Sequence, residues 1–352
     1  MLLEGIFPAL TTPFYSDGRL YLRKLEHNVE RYSRTPVAGL VVLGSTGEAV
    51  MLSDEESRTI LRTASEAAAR EKVLLAGVAR ESMIETLRLA EFAADQHYDA
   101  VLVRTPHFYG PQMGHTEMLT YYRTLADRSP LPVVLYNIPK FTHYELPAEV
   151  IADLAQHPNI IGLKDSSGSV KRIAAVVAAT RDAAQREVPV THTFTAFTNR
   201  MMLSMAPPPE NFVSAEALGG EAAVAVAPPL PKAMVMRKKQ VGFQVLCGAA
   251  HTLLDSIEAG ASGGVLALAA CAPQACQEIY LAWKDNDPAL AREKQQRVME
   301  ASTLVAGNLG IPAIKYACDL NGYYGGNPRI PLLPLDAEHR GEVARIMADL
   351  RN

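Results

Sequence analysis

The segment IIGLKDSSG (160–168) joins a short apolar run to a lysine, an aspartate and two serines. Four earlier segments share this pattern of an apolar run followed by polar residues: GLVVLGSTGE (39–48), VLLAGVAR (73–80), AVLVRTP (100–106) and PVVLYNIP (132–139). Their apolar runs begin alternately 33 and 27 residues apart, and helical patterns fill the intervals. Near-continuous apolar strands that alternate with helices predict a parallel sheet covered on both faces.

Three further segments complete a set of eight strands: GIFPALTTPF (5–14), FQVLCG (243–248) and GGVLALAAC (263–271). Eight strands with this alternation predict an α/β fold of the (β/α)8 TIM barrel type over residues 1–271. Beyond this point the pattern becomes helical, at 273–284, 288–307, 311–321 and 336–350. We therefore expect a C-terminal helical domain, a bundle beside the barrel, over residues 272–352.

One interval between strands is far longer than the others. It lies between the sixth barrel helix and the seventh barrel strand, and its excess covers about 185–240. Proline and glycine clusters there separate alternating segments, namely THTFTAF (191–197), NFVSAEAL (211–218) and AAVAVA (222–227). This pattern predicts a β-rich insertion with turns. Its position predicts that it leaves the bottom of the barrel, where a role in stability or assembly is expected. The alternative is a substrate lid.

The composition excludes several functional classes. The chain has 352 residues, 48% of them hydrophobic and 20% charged, with a net charge of −4. Such a balance gives no basic surface for nucleic acid, and no apolar run reaches the ~18 residues of a membrane span. The start, MLLEGIFPALTTPF, does not resemble a signal peptide. Four cysteines without CxxC spacing indicate a cytoplasmic location and no metal site, and the three in apolar surroundings are expected to be buried thiols.

In a TIM barrel, the chemistry belongs to the carboxyl ends of the strands. Lys164 follows the sixth strand there, whereas Lys72 precedes the third strand and lies at the other end. Burial disfavours the charged form of a lysine, so a lysine at the mouth can become a nucleophile that forms a Schiff base with a ketone. The alternative is a solvated lysine at a strand end. Tyr136, on the neighbouring strand, could move the protons that this chemistry needs, or could simply be a packing tyrosine.

The turn GSTGE (44–48) follows the second strand. Its glycines allow close approach of the backbone, and successive N–H groups can form a nest for a carboxylate. Ser45 and Thr46 add hydroxyl groups for the anion or for a proton relay. A tight turn without any ligand would explain the pattern equally well.

Taken in order along the chain, five motifs resemble the dihydrodipicolinate synthase/N-acetylneuraminate lyase superfamily: TTPF (11–14), GSTGE (44–48), TPHFYGP (105–111), YNIP (136–139) and GLKDSSG (162–168). The resemblance implies that Lys164 forms the Schiff base with a 2-oxo acid and that Tyr136 donates and accepts protons. It also implies that Ser45 and Thr46 hold the pyruvyl carboxylate and relay protons. The remaining residues expected to bind substrate are Gly47, Ser166, Gly248 and Leu266. No cofactor is required, and relatives of this kind assemble as homotetramers, as dimers of dimers.

Departures from the family pattern narrow the range of possible substrates. The synthase has an arginine where this chain has Phe141, and the relay tyrosine of the family falls on Phe108, next to Tyr109. We expect Tyr109 to take the relay role, and Arg104 or Lys140 to bind a distal carboxylate.

Other stretches indicate a subfamily. GAA (248–250) lacks the acidic pair of the sugar-acid lyases, whereas FQVLCG (243–248), GYYGG (322–326) and QHPNIIGLKDS (156–166) resemble the 4-hydroxy-2-oxoglutarate aldolases. The resemblance therefore predicts a class I lyase, with a 2-oxo acid and an aldehyde as its small-molecule partners. The alternatives are dihydrodipicolinate synthase and a non-catalytic barrel that binds an oxo acid.

Overall fold

The computed structural model describes residues 1–203 and 236–350 of the chain. Its central sheet contains eight parallel strands. They are β1 (Gly5–Pro8), β2 (Gly39–Val42), β3 (Val73–Gly77), β4 (Ala100–Arg104), β5 (Val133–Asn137), β6 (Ile160–Asp165), β9 (Gln244–Cys247) and β10 (Gly263–Leu266). The remaining two strands, β7 (Arg186–Val190) and β8 (Arg237–Val241), form a separate antiparallel pair.

The eight strands close into a barrel in the order β1-β10-β9-β6-β5-β4-β3-β2. A parallel bridge between Ala9 and Val41 joins the first and last members of this order. Alternate residues fill the interior, including Phe7, Leu75 and Val134, while the others pack beneath the helices. The predicted TIM barrel is confirmed.

Helices follow the strands and cover the outside of the barrel. Up to β7 they are α1 (Leu22–Ser33), α2 (Asp54–Ala67), α3 (Met83–Asp95), α4 (His115–Arg128), α5 (Pro139–Thr142), α6 (Ala148–Ala155) and α7 (Val170–Ala179). α8 (Asn199–Leu203) and α9 (Leu253–Glu258) come later in the chain. The predicted capping box opens α2, where the Ser53 hydroxyl accepts a bond from the Glu56 N–H and the Glu56 carboxylate accepts one from the Ser53 N–H. Both ends of this motif satisfy N–H groups that the helix leaves free.

Four helices follow the barrel: α10 (Pro273–Lys284), α11 (Pro288–Ala301), α12 (Ile311–Leu320) and α13 (Ala337–Met347). The helix expected over 288–307 changes at Ala301 into a π-helical segment, Ser302–Leu309. The eighth strand, expected to reach 271, stops at Leu266 and gives way to a short 3-10 helix at Leu268–Ala270. The run VLALAACA is apolar on both sides of that boundary, so composition could not mark it.

The insertion between α7 and β9 leaves the bottom of the barrel, as predicted. β7 and β8 pair from Arg186–Val241 to Val190–Arg237. Their apolar face, with Val188, covers Leu2 just before the first barrel strand. The predicted segments NFVSAEAL and AAVAVA fall outside the described residues, and the role of the insertion in stability or assembly stays a prediction.

Arg200 in α8 joins the insertion to the barrel through hydrogen bonds. It is buried, and its guanidinium donates to the carbonyls of Ser65 and Ala68 and to that of Lys72. Ser65 and Ala68 lie at the end of α2, where helix carbonyls lack partners within the helix. The charge of Arg200 also suits the negative end of that helix. In the described part of the chain, no helix is both long and apolar enough to cross a membrane.

Candidate active site

Lys164 and Tyr136 lie side by side at the carboxyl end of the barrel. They are paired in the register of β5 and β6, and only 4% of Lys164 and 5% of Tyr136 are exposed. The Lys164 Nζ lies 4.0 Å from the centroid of the Tyr136 ring. The strand-end lysine is therefore buried against an aromatic face, which argues against a solvated lysine.

The turn that follows β2 brings a hydroxyl to the same place. Ser45 Oγ lies 3.3 Å from the Tyr136 hydroxyl oxygen, so the two groups can share a proton. The Thr12 hydroxyl donates to the Gly47 carbonyl at 2.6 Å and holds the turn against the first strand. Ser45 and Tyr136 thus form a hydroxyl pair next to the amine of Lys164.

Asp165 fixes the backbone that carries Lys164. Its buried carboxylate accepts bonds from Asn137 Nδ2 at 2.9 Å and from Arg172 Nε at 2.8 Å. The other oxygen accepts from the Ser167 N–H at 2.9 Å. These charge-assisted bonds hold the ends of β5 and β6 together next to Lys164.

A cavity of about 600 Å³ opens beside these residues. Seven of the residues expected to act on or bind substrate line it: Ser45, Thr46, Tyr136, Lys140, Lys164, Ser166 and Gly248. Gly248 has a steric reason to be glycine, since a Cβ there would lie 2.1 Å from Ser166 Oγ. The volume is within the usual range for small-molecule sites.

Four expected residues do not line the cavity, namely Leu266, Gly47, Arg104 and Tyr109. Leu266 is fully buried in the core between strands and helices, because side chains alternate along β10 and Val265 takes the inward position. Its successors Ala267 and Leu268 line the cavity instead. Gly47 is buried under the turn, where a Cβ would approach the Leu10 carbonyl to 3.1 Å, so its role is close packing.

Arg104 is also absent from the cavity that Lys164 lines. Its guanidinium pairs with Glu81 at 2.9 Å and contacts His107 Nδ1 at 2.8 Å. It borders a separate space of about 30 Å³ behind Ser45 and Tyr136. Because Glu81 already neutralises its charge, Arg104 is a poor candidate for a substrate carboxylate. Lys140, the other basic residue considered, does line the main cavity.

Tyr109 lies outside the cavity of its own chain. It is 66% exposed and Phe108 is 74% exposed, and their rings contact each other edge to face. Tyr109 therefore does not complete a relay with Tyr136 within one chain.

The sequence interpretation overlooked His251 and the π-helical segment, both of which line the cavity. His251 is the first polar residue after β9, so the rule that selected the other strand-end residues would have found it. Burial lowers the pKa of His251 from its usual value. The π-helical segment has no comparable signal, because its residues STLVAGNL read as an ordinary helix.

The side chains that line the cavity carry an excess of positive charge. Its described lining contains Lys140 and Lys164 but no aspartate or glutamate. A site with two amines and no acid suits anionic ligands. Within residues 1–203 and 236–350, no cluster of three or more His, Cys, Asp or Glu side chains is placed to hold a metal ion.

Glu48 connects the turn of Ser45 to the C-terminal helices. Its carboxylate accepts a bond from Lys315 Nζ at 2.6 Å, and both side chains are wholly buried. The second oxygen accepts from the Arg329 N–H at 2.7 Å. Glu48 has a φ of 56°, a left-handed conformation that costs free energy for a residue other than glycine. The ion pair therefore holds the turn in a conformation that it would not favour alone.

Comparison with known proteins identifies the family of the chain. The model of the dihydrodipicolinate synthetase family matches residues 2–185 and 230–350, which omits most of the insertion. The 4-hydroxy-tetrahydrodipicolinate synthase of Natronomonas pharaonis is 29% identical over 347 residues, 98% of this chain and 97% of that protein. The enzyme of the same name from Xanthomonas axonopodis pv. citri is 40% identical over 182 residues, 52% of this chain and 60% of that protein.

The fold is shared with solved structures. YagE, a prophage protein of the dihydrodipicolinic acid synthase family from E. coli K12 solved in complex with pyruvate, matches with a TM-score of 0.78. It is 24% identical, and the match covers 99% of each chain. Members of the matched family are lyases that use a lysine Schiff base with pyruvate. The chain belongs to the dihydrodipicolinate synthetase family and is an enzyme of the lyase class.

Proposed function

We propose that this enzyme cleaves and forms the carbon–carbon bond of a 4-hydroxy-2-oxo acid, with 4-hydroxy-2-oxoglutarate as its substrate type. The observation that carries the proposal is the buried Lys164 amine beside the Tyr136–Ser45 hydroxyl pair. A buried amine, a proton carrier and an anion-binding turn are the parts that imine chemistry on a 2-oxo acid requires.

The steps follow from these positions. The Lys164 amine attacks C2 of the substrate, and water leaves to give the imine. Tyr136, linked to Ser45, gives its proton to the departing hydroxyl group, and the phenolate that results then takes the proton of the C4 hydroxyl. The C3–C4 bond then breaks, its electrons pass into the protonated imine, and an aldehyde leaves. Protonation of the resulting enamine at C3 and hydrolysis release pyruvate and the free lysine. No cofactor takes part in these steps.

The rival substrate is aspartate semialdehyde, because the curated relatives carry the name of the synthase. In the synthase, an arginine binds the carboxylate of that second substrate. This chain has Phe141 at the equivalent position. Phe141 lines the cavity and is half exposed, so it offers no charge at that position. This difference supports the aldolase over the synthase.

A substrate panel separates the two functions. We expect kcat/KM for pyruvate release from 4-hydroxy-2-oxoglutarate to exceed that for condensation of pyruvate with aspartate semialdehyde by at least about tenfold. The first reaction is measured by reduction of the released pyruvate with NADH, and the second by consumption of pyruvate. A clear preference for aspartate semialdehyde would assign the enzyme to the synthases.

Assembly as a homotetramer, a dimer of dimers, would supply the relay that one chain lacks. The exposed rings of Phe108 and Tyr109 and the exposed Val50 offer an apolar surface for a second copy. Val50 also borders the small space beside Ser45 and Tyr136. A second copy packed against Val50 would present the hydroxyl end of its Tyr109 to this space, which has room for little more than that group.

On this basis, Tyr109→Phe should lower kcat by about tenfold to a hundredfold while the chain stays folded and associated. The loss arises because the phenylalanine fills the same space without a proton to pass on. Steady-state kinetics and sedimentation velocity measure the two properties, and Tyr15→Phe, at another exposed tyrosine, serves as the control. Unchanged kcat in the Tyr109 variant, or a wild-type monomer with full activity, would contradict the shared relay.

A further inference from the structure

The far wall of the cavity comes from the C-terminal helices. The π-helical segment Ser302–Leu309 faces the mouth of the barrel, and Ser302, Ala306 and Gly307 line the cavity. Two residues that follow barrel strands contact it. Lys140 Nζ donates to the Gly307 carbonyl at 2.6 Å, and the backbone N–H of His251 donates to Ser302 Oγ at 2.9 Å.

The two contact points are neighbours on that segment. A π-helix bonds each residue to the one five positions away, so Ser302 and Gly307 lie on successive turns. The spacing agrees, since a Cβ on Gly307 would lie 3.4 Å from the Ser302 carbonyl oxygen. The π-helical segment therefore aligns Lys140 and His251 along one wall of the cavity.

The hydrogen bonds of Ser302 also orient the imidazole. Ser302 Oγ accepts the backbone N–H of His251 and lies 3.3 Å from Nδ1 of the same ring. Its own proton is free to go to Nδ1, which makes Nδ1 the acceptor and leaves the proton of the neutral ring on Nε2. Burial lowers the pKa of His251, which favours this neutral form near pH 7.

The Nε2 edge of the His251 ring faces Gly168, which has no side chain to cover it. A Cβ on Gly168 would lie 3.5 Å from His251 Nε2, and Gly168 and His251 both line the cavity. The Nε2 proton can therefore reach a ligand in the cavity. Lys140 has two further N–H bonds after the one given to Gly307, so this wall presents donors.

We propose that Lys140 and His251 together bind the distal carboxylate of a dicarboxylic 2-oxo acid whose ketone is held by Lys164. The inference rests on the proposed function and specifies its substrate class. Lys140 supplies the charge and His251 a directed hydrogen bond, and the described lining holds no acid to compete for either. His251 is in this view a residue that determines specificity, with no part in bond cleavage.

Trapping of the imine tests the proposal without a need for turnover. Wild-type enzyme and variants are incubated with increasing 2-oxoglutarate, or with 2-oxopentanoate, in which a methyl group replaces the distal carboxylate. Borohydride then reduces the imine, and mass spectrometry of the Lys164 peptide gives the concentration for half-maximal trapping. Neither acid has a 4-hydroxyl group, so the comparison reports binding alone.

We expect the wild type to prefer 2-oxoglutarate. His251→Leu should raise its half-maximal concentration by on the order of tenfold, the effect of one hydrogen bond to a charged group. The value for 2-oxopentanoate should change by less than about twofold, within the scatter of a surface substitution. His251→Gln, whose amide reaches towards the position of Nε2, should restore most of the preference, and Lys140→Met should abolish it. His192→Gln, in the insertion at the bottom of the barrel, is the matched control.

The outcomes distinguish the inference from the function on which it rests. Trapping at Lys164 with equal affinity for both acids, or an equal loss for both in His251→Leu, would overturn the inference and leave the Schiff-base lyase intact. Failure of both acids and of pyruvate to label Lys164 would overturn the proposed function, and the inference with it.

Discussion

Replacement of Lys315 with methionine is expected to lower the free energy of unfolding by about 3–5 kcal/mol, the usual cost when a buried ion pair loses one partner. Glu48 would remain as a wholly buried carboxylate without its cation. Lys315 also donates to the Asn327 carbonyl and lies 4.4 Å from the centroid of the Phe14 ring. Urea denaturation followed by circular dichroism measures the loss. Lys284→Met, at an exposed lysine of α10, should change stability by less than about 0.5 kcal/mol.

A double-mutant cycle shows whether the ion pair causes the effect. Glu48→Gln combined with Lys315→Met removes both charges, so the double variant should be more stable than the sum of the single losses predicts. The turn that carries Ser45 should also loosen in each single variant, with weaker imine formation at Lys164. Additive losses in the cycle, or a Lys315 variant as stable as the wild type, would show that the pair does not hold the turn.

The second large effect concerns the reaction itself. Lys164→Arg should lower the rate of pyruvate release by at least about a thousandfold, as is typical when a covalent nucleophile is removed. Arginine keeps the positive charge but stays protonated and cannot form an imine. The rate is measured with 4-hydroxy-2-oxoglutarate, and circular dichroism checks the fold. Lys171→Arg, at an exposed lysine of α7, is the control and should keep full activity. Substantial turnover by the Lys164 variant would exclude this lysine as the nucleophile.

The barrel could be predicted because its strands are short apolar runs, most of which end in polar residues. Parallel strands buried on both faces leave this periodic trace in any sequence. The convergence of Lys164, Tyr136 and Ser45 followed from the same rule, since strand ends of a barrel meet at one mouth. The hydroxyl contact of 3.3 Å between Ser45 and Tyr136 is a consequence of this topology.

Other features depend on contacts between distant parts of the chain. Glu48 and Lys315 are 267 residues apart, and neither residue alone indicates a buried partner. The π-helical segment reads as ordinary helix, so its place in the cavity wall could not be foreseen, nor could its alignment of Lys140 with His251. Leu266 was predicted to line the cavity but points away from it. Side chains alternate along a strand, so an error of one residue in the expected register reverses the direction of each side chain. Arg104 was predicted to bind a distal carboxylate because it is basic. Its ion pair with Glu81 joins residues that are far apart in the sequence and is visible only in the structure.

Reductive trapping with pyruvate tests the central claim most directly. The enzyme is incubated with pyruvate and borohydride, digested, and analysed by mass spectrometry. We predict one reduced pyruvyl group per chain, on the peptide that contains Lys164, and its loss in Lys164→Arg. Labelling at Lys140, Lys72 or another lysine, or no labelling with an intact fold, would contradict the account of Lys164 as the residue that forms the Schiff base.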